Sequence, residues 1–372
     1  MIKQQVFLLL IALTVFFGCN RKKNDEAVAN ETVNIRYARG FTINHYDDYT
    51  KVSVKNPWDT TEILHDYILV EKNKPRPQYL PEGTLIEIPV KNIACFYSID
   101  ASIIQRLDSE NKVKAIAETD YVKIPFLVEG LKNGTIADIG QASAVNIERL
   151  MDVSPEIIIV SPFQGIGYGK LETTGIAIVE NAGYMENTPL GRAEWIRFIA
   201  AFLKKDKEAE VIMDSLETRY NALKEKVRKI SSRPTVFCDK RYGQAWWISG
   251  GRSYMAHFFN DAGADYIWKD TKETGSLELD FEKVYDKAEN ADYWIIRSDH
   301  NITYSELKKE FEGYSYFKAW KDKRIVLCNT VENNYYEDGV MNPDWILEDL
   351  IHIFHPDLEI QEREGAFFLP MK

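Results

Sequence analysis

The chain spells one short pattern twice. Residues 146–160 read NIERLMDVSPEIIIV and residues 280–296 read DFEKVYDKAENADYWII. Each copy opens on Asn or Asp, a residue type that caps helices. Glu148 and Glu282 follow two positions later, where an acid complements the helix dipole. Apolar residues then recur at helical spacing, a polar break follows, and a β-branched or aromatic run reads as a buried strand. Two helix–strand units of the same order predict two similar α/β lobes, each carrying one Glu at the start of the same helix. The alternative is chance likeness between two ordinary helix–strand units.

The ends are of another kind. Lys3 followed by the apolar run Val6 to Phe17 has the length of a signal peptide and is short for a membrane span. It closes on Phe16-Phe17-Gly18-Cys19, which resembles a lipobox, with Phe16 where Leu is preferred. Lipidation of Cys19 is therefore expected, and with it membrane attachment through a lipid anchor. An ordinary signal peptide or an uncleaved anchor stays open. Residues 20–32 read as a polar tether. The remaining length exceeds what one core usually holds. Hydrophobic residues at 45% and aromatics at 12% specify a folded chain, and a net charge of -11 with no basic patch argues against nucleic acid as a partner. Cys95, Cys238 and Cys328 each sit in an apolar strand-like run and are expected as buried free thiols.

The expected organisation is a signal peptide (1–19), a tether (20–32), a β-rich extension (33–89), an amino-terminal α/β lobe (90–204), an interlobe helix (205–232), a carboxy-terminal α/β lobe (233–358) and a tail (359–372). In the extension, Val33 to Tyr37 and Lys51 to Val54 alternate as short strands, and Pro57, Pro75, Pro77 and Pro81 punctuate them. Between Ala193 and Ser231 the pattern is helical, with Val211, Met213, Leu216, Tyr220, Leu223 and Val227 as one apolar set. The fold class is α/β: two mostly parallel-sheet lobes joined by a long helix, with the small extension in front.

The densest candidate for binding is Gln244 to Ser253, with Tyr242 close by. On a strand Trp246 and Trp247 point to opposite faces, so one faces a surface or cleft. Gly250-Gly251 allows a tight turn, Ser253 can cap the next helix, and Arg252 beside that helix start suits an anionic group. A structural turn between a core Trp and a surface Trp is the plain alternative. Gly165 to Lys170 imitates a phosphate loop but lacks its spacing, and reads as a loop at a strand's carboxyl end. Glu194 reads as a helix-start acid. His352 and His355 read as structural, no metal site is evident, and no nucleophile elbow or zinc-protease motif occurs.

Residues 140–160, 189–195, 234–268, 277–296 and 343–356 together resemble the type III periplasmic solute-binding proteins, over about residues 90–358, and most closely their longer Bacteroidetes-type lipoproteins. The resemblance implies a receptor with no catalytic residues and no cofactor, a monomer held in the periplasm, that hands a metal chelate to the permease of an ABC importer. It implies that Glu148 and Glu282 dock on the permease. It implies a cleft lined by Tyr97 and Ser98 from one lobe and by Tyr242, Trp246, Trp247 and Arg252 from the other, with Tyr335 and Tyr336 added. Aromatic walls suit a flat or hydrophobic chelate, and an Arg its carboxylates. An iron siderophore or haem is the expected ligand. Cobalamin, and an envelope α/β enzyme such as a hydrolase or chelatase, are the alternatives.

Overall fold

The computed structural model describes residues 29–360 and 365–372. Cys19 and the apolar run before it lie outside the described residues. Strands β1 (Glu31–Thr32), β2 (Phe41–His45), β3 (Thr50–Lys55), β4 (Ile63–Glu71) and β5 (Thr84–Ile88) form one sheet in that order. Its pairs are antiparallel except β4 with β5. Phe41, Ile43, Val52 and Val54 fill its inner side.

The expected strand at Val33 to Tyr37 does not form, because the backbone there is claimed from elsewhere. The N–H groups of Arg36, Tyr37 and Ala38 donate to the carboxylate of Glu194, at 2.9, 2.6 and 2.8 Å. Those of Arg39 and Gly40 donate to Glu186 Oε1, at 2.7 and 2.8 Å. Val33 N–H still donates to Ile43 O at 2.9 Å, but Arg36 and Tyr37, held by a carboxylate, have no N–H left for a ladder. Glu194 is wholly buried, so it fastens the amino-terminal sheet to the first lobe and does more than begin a helix.

The first lobe alternates strands and helices: β6 (Ile93–Cys95), α1 (Ser98–Arg106), β7 (Val113–Ile116), α2 (Pro125–Asn133), β8 (Ala137–Asp138), the hairpin of β9 (Gly140–Gln141) and β10 (Ala144–Val145), α3 (Ile147–Val153), β11 (Ile157–Val160) and β12 (Ala177–Glu180). Its sheet runs β12-β11-β6-β7-β8, all parallel. All four residues of β11 are buried, as a strand covered on both faces requires.

Helices α4 (Pro189–Ala193), α5 (Trp195–Leu203) and α6 (Asp206–Val227) follow. Every residue of α5 is buried. The 22 residues of α6 span about 33 Å at 1.5 Å per residue. Ala209, Met213, Leu216, Tyr220 and Val227 form its buried stripe. Val211 falls off that stripe and is exposed.

The second lobe continues with β13 (Thr235–Cys238), β14 (Arg241–Tyr242), β15 (Ala245–Ser249), α7 (Tyr254–Asp261), β16 (Asp265–Tyr266), β17 (Ser276–Leu279), α8 (Phe281–Ala288), β18 (Tyr293–Ser298), α9 (Tyr304–Glu310), α10 (Lys318–Lys321), β19 (Ile325–Asn329), α11 (Tyr335–Met341), α12 (Pro343–Phe354) and β20 (Leu369–Pro370). Its main sheet runs β16-β13-β18-β19-β20, parallel except for β20. Helix α6 packs on α5 at one lobe and on α12 at the other.

The doubled pattern is a doubled structure. Asn146 Oδ1 accepts the N–H of Arg149 at 3.0 Å and caps α3, and Asp280 Oδ1 accepts that of Lys283 at 2.8 Å and caps α8. Each capped helix leads into a central strand, β11 or β18. Cys95, Cys238 and Cys328 are buried free thiols.

Candidate ligand cleft

In parallel sheets the strand ends at one edge deliver their following loops to a common crevice. Here both lobes do so towards each other. β6 ends at Cys95, and Tyr97 and Ser98 follow. β18 delivers Arg297 and Ser298, and the turn after β19 delivers Thr330 and Val331. These groups, with Glu118, Tyr121, Asp299, Asn334, Tyr336 and Glu337, line a cavity of about 590 Å³. That volume lies within the range of small-molecule sites, roughly 300–1,000 Å³.

Two contacts join the lobes at its floor. Ser98 Oγ donates to Glu337 Oε1 at 2.7 Å, and Ser102 Oγ donates to the Glu337 carbonyl at 2.8 Å. Both donors stand on α1 and both acceptors on α11, so side-chain hydroxyls tie one lobe to the other. Glu118, across the cavity, accepts the N–H of Ala142 at 2.8 Å.

Arg297 is held as a fork. Its Nη2 donates to both Asp239 oxygens at 2.9 and 3.0 Å, and its Nε donates to Oδ1 at 3.2 Å. Burial is the largest single influence and disfavours the guanidinium cation, but Asp239 together with Tyr335, Cys238 and Tyr336 outweighs it and holds the pKa well above the ordinary arginine value. Asp239 sits at a φ of 61°, a left-handed backbone uncommon outside glycine. Three further bonds fix it: Trp294 Nε1 donates to its carbonyl at 2.7 Å, Ser249 Oγ donates to Oδ2 at 3.2 Å, and its own N–H donates to Ile295 O at 2.8 Å. Behind this pair, the Arg192 guanidinium lies 3.9 Å from the centroid of Tyr254 and donates through Nε to the Glu186 carbonyl at 2.8 Å.

A second cavity, of about 600 Å³, adjoins through Tyr97 and belongs to the first lobe. Its walls include Phe96, Val145, Ile147, Phe163 and Ile166. The segment 165–170 therefore borders a cavity at the carboxyl end of β11, where a loop of an α/β lobe meets ligand space.

The structure brings together Tyr97, Ser98 and Tyr336 of the sequence-expected site and leaves the others apart. Trp246 is 0% exposed, packed among Phe237, Trp294, Tyr314 and Phe317, with its Nε1 donating to the Cys238 carbonyl. Trp247 is its opposite number on β15, 42% exposed, and Tyr242 is 84% exposed on the paired strand. Arg252 is exposed as well. None of these four lines the interlobe cavity. Tyr335 is buried behind its wall, its hydroxyl 3.4 Å from Met255 Sδ. The alternation argument for the two Trp residues holds, but the exposed one faces away from the cavity wall because β14, β15 and β17 form a separate small antiparallel sheet. The residues missed are Arg297, Asp239, Glu118 and Glu337. Arg297 had a signal: a charged residue directly after the buried run of the second repeat. Glu148 and Glu282 are exposed at matching helix starts, with no ion pair among the described residues. No group of His, Cys, Asp and Glu suited to a metal ion occurs among the described residues.

Comparison with known proteins agrees with this architecture. A family model described as periplasmic binding protein matches residues 93–331. An uncharacterized lipoprotein of Methanocaldococcus jannaschii is 28% identical over 369 residues, covering 91% of this chain and 86% of its own length. A possible iron-binding (periplasmic solute-binding) protein from Staphylococcus epidermidis superposes with a TM-score of 0.57 at 18% identity, over 72% of this chain and 99% of its own. A periplasmic heme-binding protein from Pseudomonas aeruginosa does so with a TM-score of 0.58 at 15% identity, over 75% of this chain and 97% of its own.

Proposed function

The chain belongs to the periplasmic binding protein family, and from that premise we propose that it captures an iron chelate, a siderophore or haem, between its lobes and delivers it to the permease of an ABC importer. The observation that carries this reading is the interlobe cavity of about 590 Å³, walled by Tyr97, Tyr121 and Tyr336 and holding the half-buried Arg297 fork. A chelate brings its metal already wrapped, so the receptor needs aromatic faces and a few polar contacts and no metal ligands of its own. Two structural neighbours carry iron or heme in their names, which supports the ligand class. A lipoprotein relative supports an anchor at Cys19 in the cell envelope. Glu148 and Glu282 supply one exposed carboxylate per lobe for docking on basic residues of the permease.

The test is calorimetric titration of the purified chain with ferric siderophores, haem and cobalamin in parallel. Saturable binding to an iron chelate at micromolar concentration or tighter is expected, weakened about tenfold in Tyr97→Ala or Tyr336→Ala, as for the loss of one packed aromatic of about 1.4 kcal/mol. Binding to none of the iron chelates overturns the reading, and binding to cobalamin alone moves it to a corrinoid receptor.

A further inference from the structure

The cavity wall has an unbalanced charge. Three carboxylates line it: Glu118, Asp299 and Glu337. Among the described residues lining it, Arg297 is the one base, and Asp239 already holds that base through three short contacts. Among the described residues, Glu118 and Glu337 meet only neutral donors, the Ala142 N–H and the Ser98 hydroxyl. Asp299 pairs with the adjacent exposed His300. Arg192 lies behind the wall over Tyr254 and does not line the cavity. The arginine that sequence reasoning aimed at an anionic ligand, Arg252, is elsewhere on the surface. A ligand entering this space therefore meets uncompensated negative charge, on a molecule whose net charge is -11.

The aromatic walls point the same way. Tyr97, Tyr121 and Tyr336 present rings beside those carboxylates. The negative face of an aromatic ring attracts a cation and repels an anion. Carboxylates and rings side by side make a surface for an ammonium-bearing group, whereas an anion would be desolvated against charge of its own sign.

We propose that this cleft selects chelates of positive charge over chelates of negative charge, and that Glu118 and Glu337 set the selection. This rests on the reading of the chain as a chelate receptor and narrows its substrate class to ferric complexes that carry an ammonium group outside the metal shell. A charge about 7 Å from such a carboxylate, at an effective dielectric near 40, shifts affinity by about tenfold.

A charge series on one scaffold tests it. The purified chain is titrated with a ferric linear trihydroxamate that ends in an ammonium, with its N-acetylated form, and with its N-succinylated form. The metal shell is constant while the terminus runs from positive through neutral to negative. The expected order of affinity is ammonium, acetyl, succinyl, with about tenfold or more between the extremes, narrowing in high salt. Glu118→Gln combined with Glu337→Gln should close most of that gap, read as the ratio of ammonium to succinyl affinity within the variant. Equal binding of the three forms, or tighter binding of the succinylated one, overturns charge selection and leaves the receptor reading intact. Tight binding of haem, which carries two propionates, with weak binding of all three trihydroxamates does the same. Binding of no ferric complex and no haem overturns both.

Discussion

Asp100 is the residue whose environment is least compatible with its charge. It is wholly buried in the first turn of α1, where Asn181 Nδ2 donates to Oδ1 at 2.6 Å and Oδ2 has no partner among the described residues. Burial pushes its pKa up to about 7, and the Asn181 bond only partly offsets this. The sign of the consequence follows from linkage. Between the unfolded value near 4 and the folded value near 7, the native chain keeps a proton that the unfolded chain has released, so stability falls as pH rises through that window. Asp100→Asn removes the titration. The thermal midpoint of the wild type is expected to drop between pH 5 and pH 8 by more than that of the variant. Equal slopes would place the pH dependence elsewhere. Nothing in the sequence marks Asp100, since an acid at a helix start is ordinary and its partner Asn181 lies 81 residues away. Tyr97 and Ser98 were legible through the family resemblance, which puts the segment after the first strand at the cleft. Arg297 was legible in principle as a charged residue directly after a buried run. Trp246 was misleading because its neighbours Trp294, Tyr314 and Phe317 come from distant segments, and only their convergence decides which of two adjacent rings is core.

At the scale of elements, the long helix expected over 205–232 starts on time and ends at Val227, five residues early. Strands β13 and β19 stand where the apolar runs around Cys238 and Cys328 put them. Residues 33–37 show what spacing omits. Their alternation fits a strand, yet Glu194, more than 150 residues away, takes the N–H groups of Arg36, Tyr37 and the following Ala38. Glu194→Ala leaves those donors without a partner inside the protein, at about 1–3 kcal/mol for each buried donor that water fails to reach. Loss of about 3 kcal/mol or more of unfolding free energy is expected in urea titration, together with faster proteolysis between residues 33 and 40. Unchanged stability would mean that the segment is held by its side chains and not by this carboxylate.

The whole molecule is two lobes that repeat one plan, and the repeat was plain in the sequence because capping residue, acid and strand recur in one order. The cleft between them was not, since its walls come from separate strand ends that only the fold assembles. The proposed docking belongs to this scale. Glu148→Lys with Glu282→Lys reverses one charge on each lobe at sites outside the lining of the interlobe cavity. Uptake in cells is expected to be abolished while chelate affinity measured on the purified chain stays within about twofold, since exposed charges outside that lining are largely screened. Normal uptake by the double variant would remove both residues from the docking role.

Helix α6 carries a consequence for traffic at the membrane. A continuous helix reaching from α5 to α12 cannot swing one lobe wide of the other without breaking its own backbone hydrogen bonds, and Ser98 and Ser102 hold α11 against α1 at the floor of the cleft. The spacing of the two exposed carboxylates would thus change little between a full and an empty cavity. If these carboxylates dock the chain as proposed, an unloaded receptor would fit the permease about as well as a loaded one and would compete with it. Overproducing the receptor beyond the supply of chelate should slow uptake, so the cell has reason to keep its copy number matched to the ligand it can find.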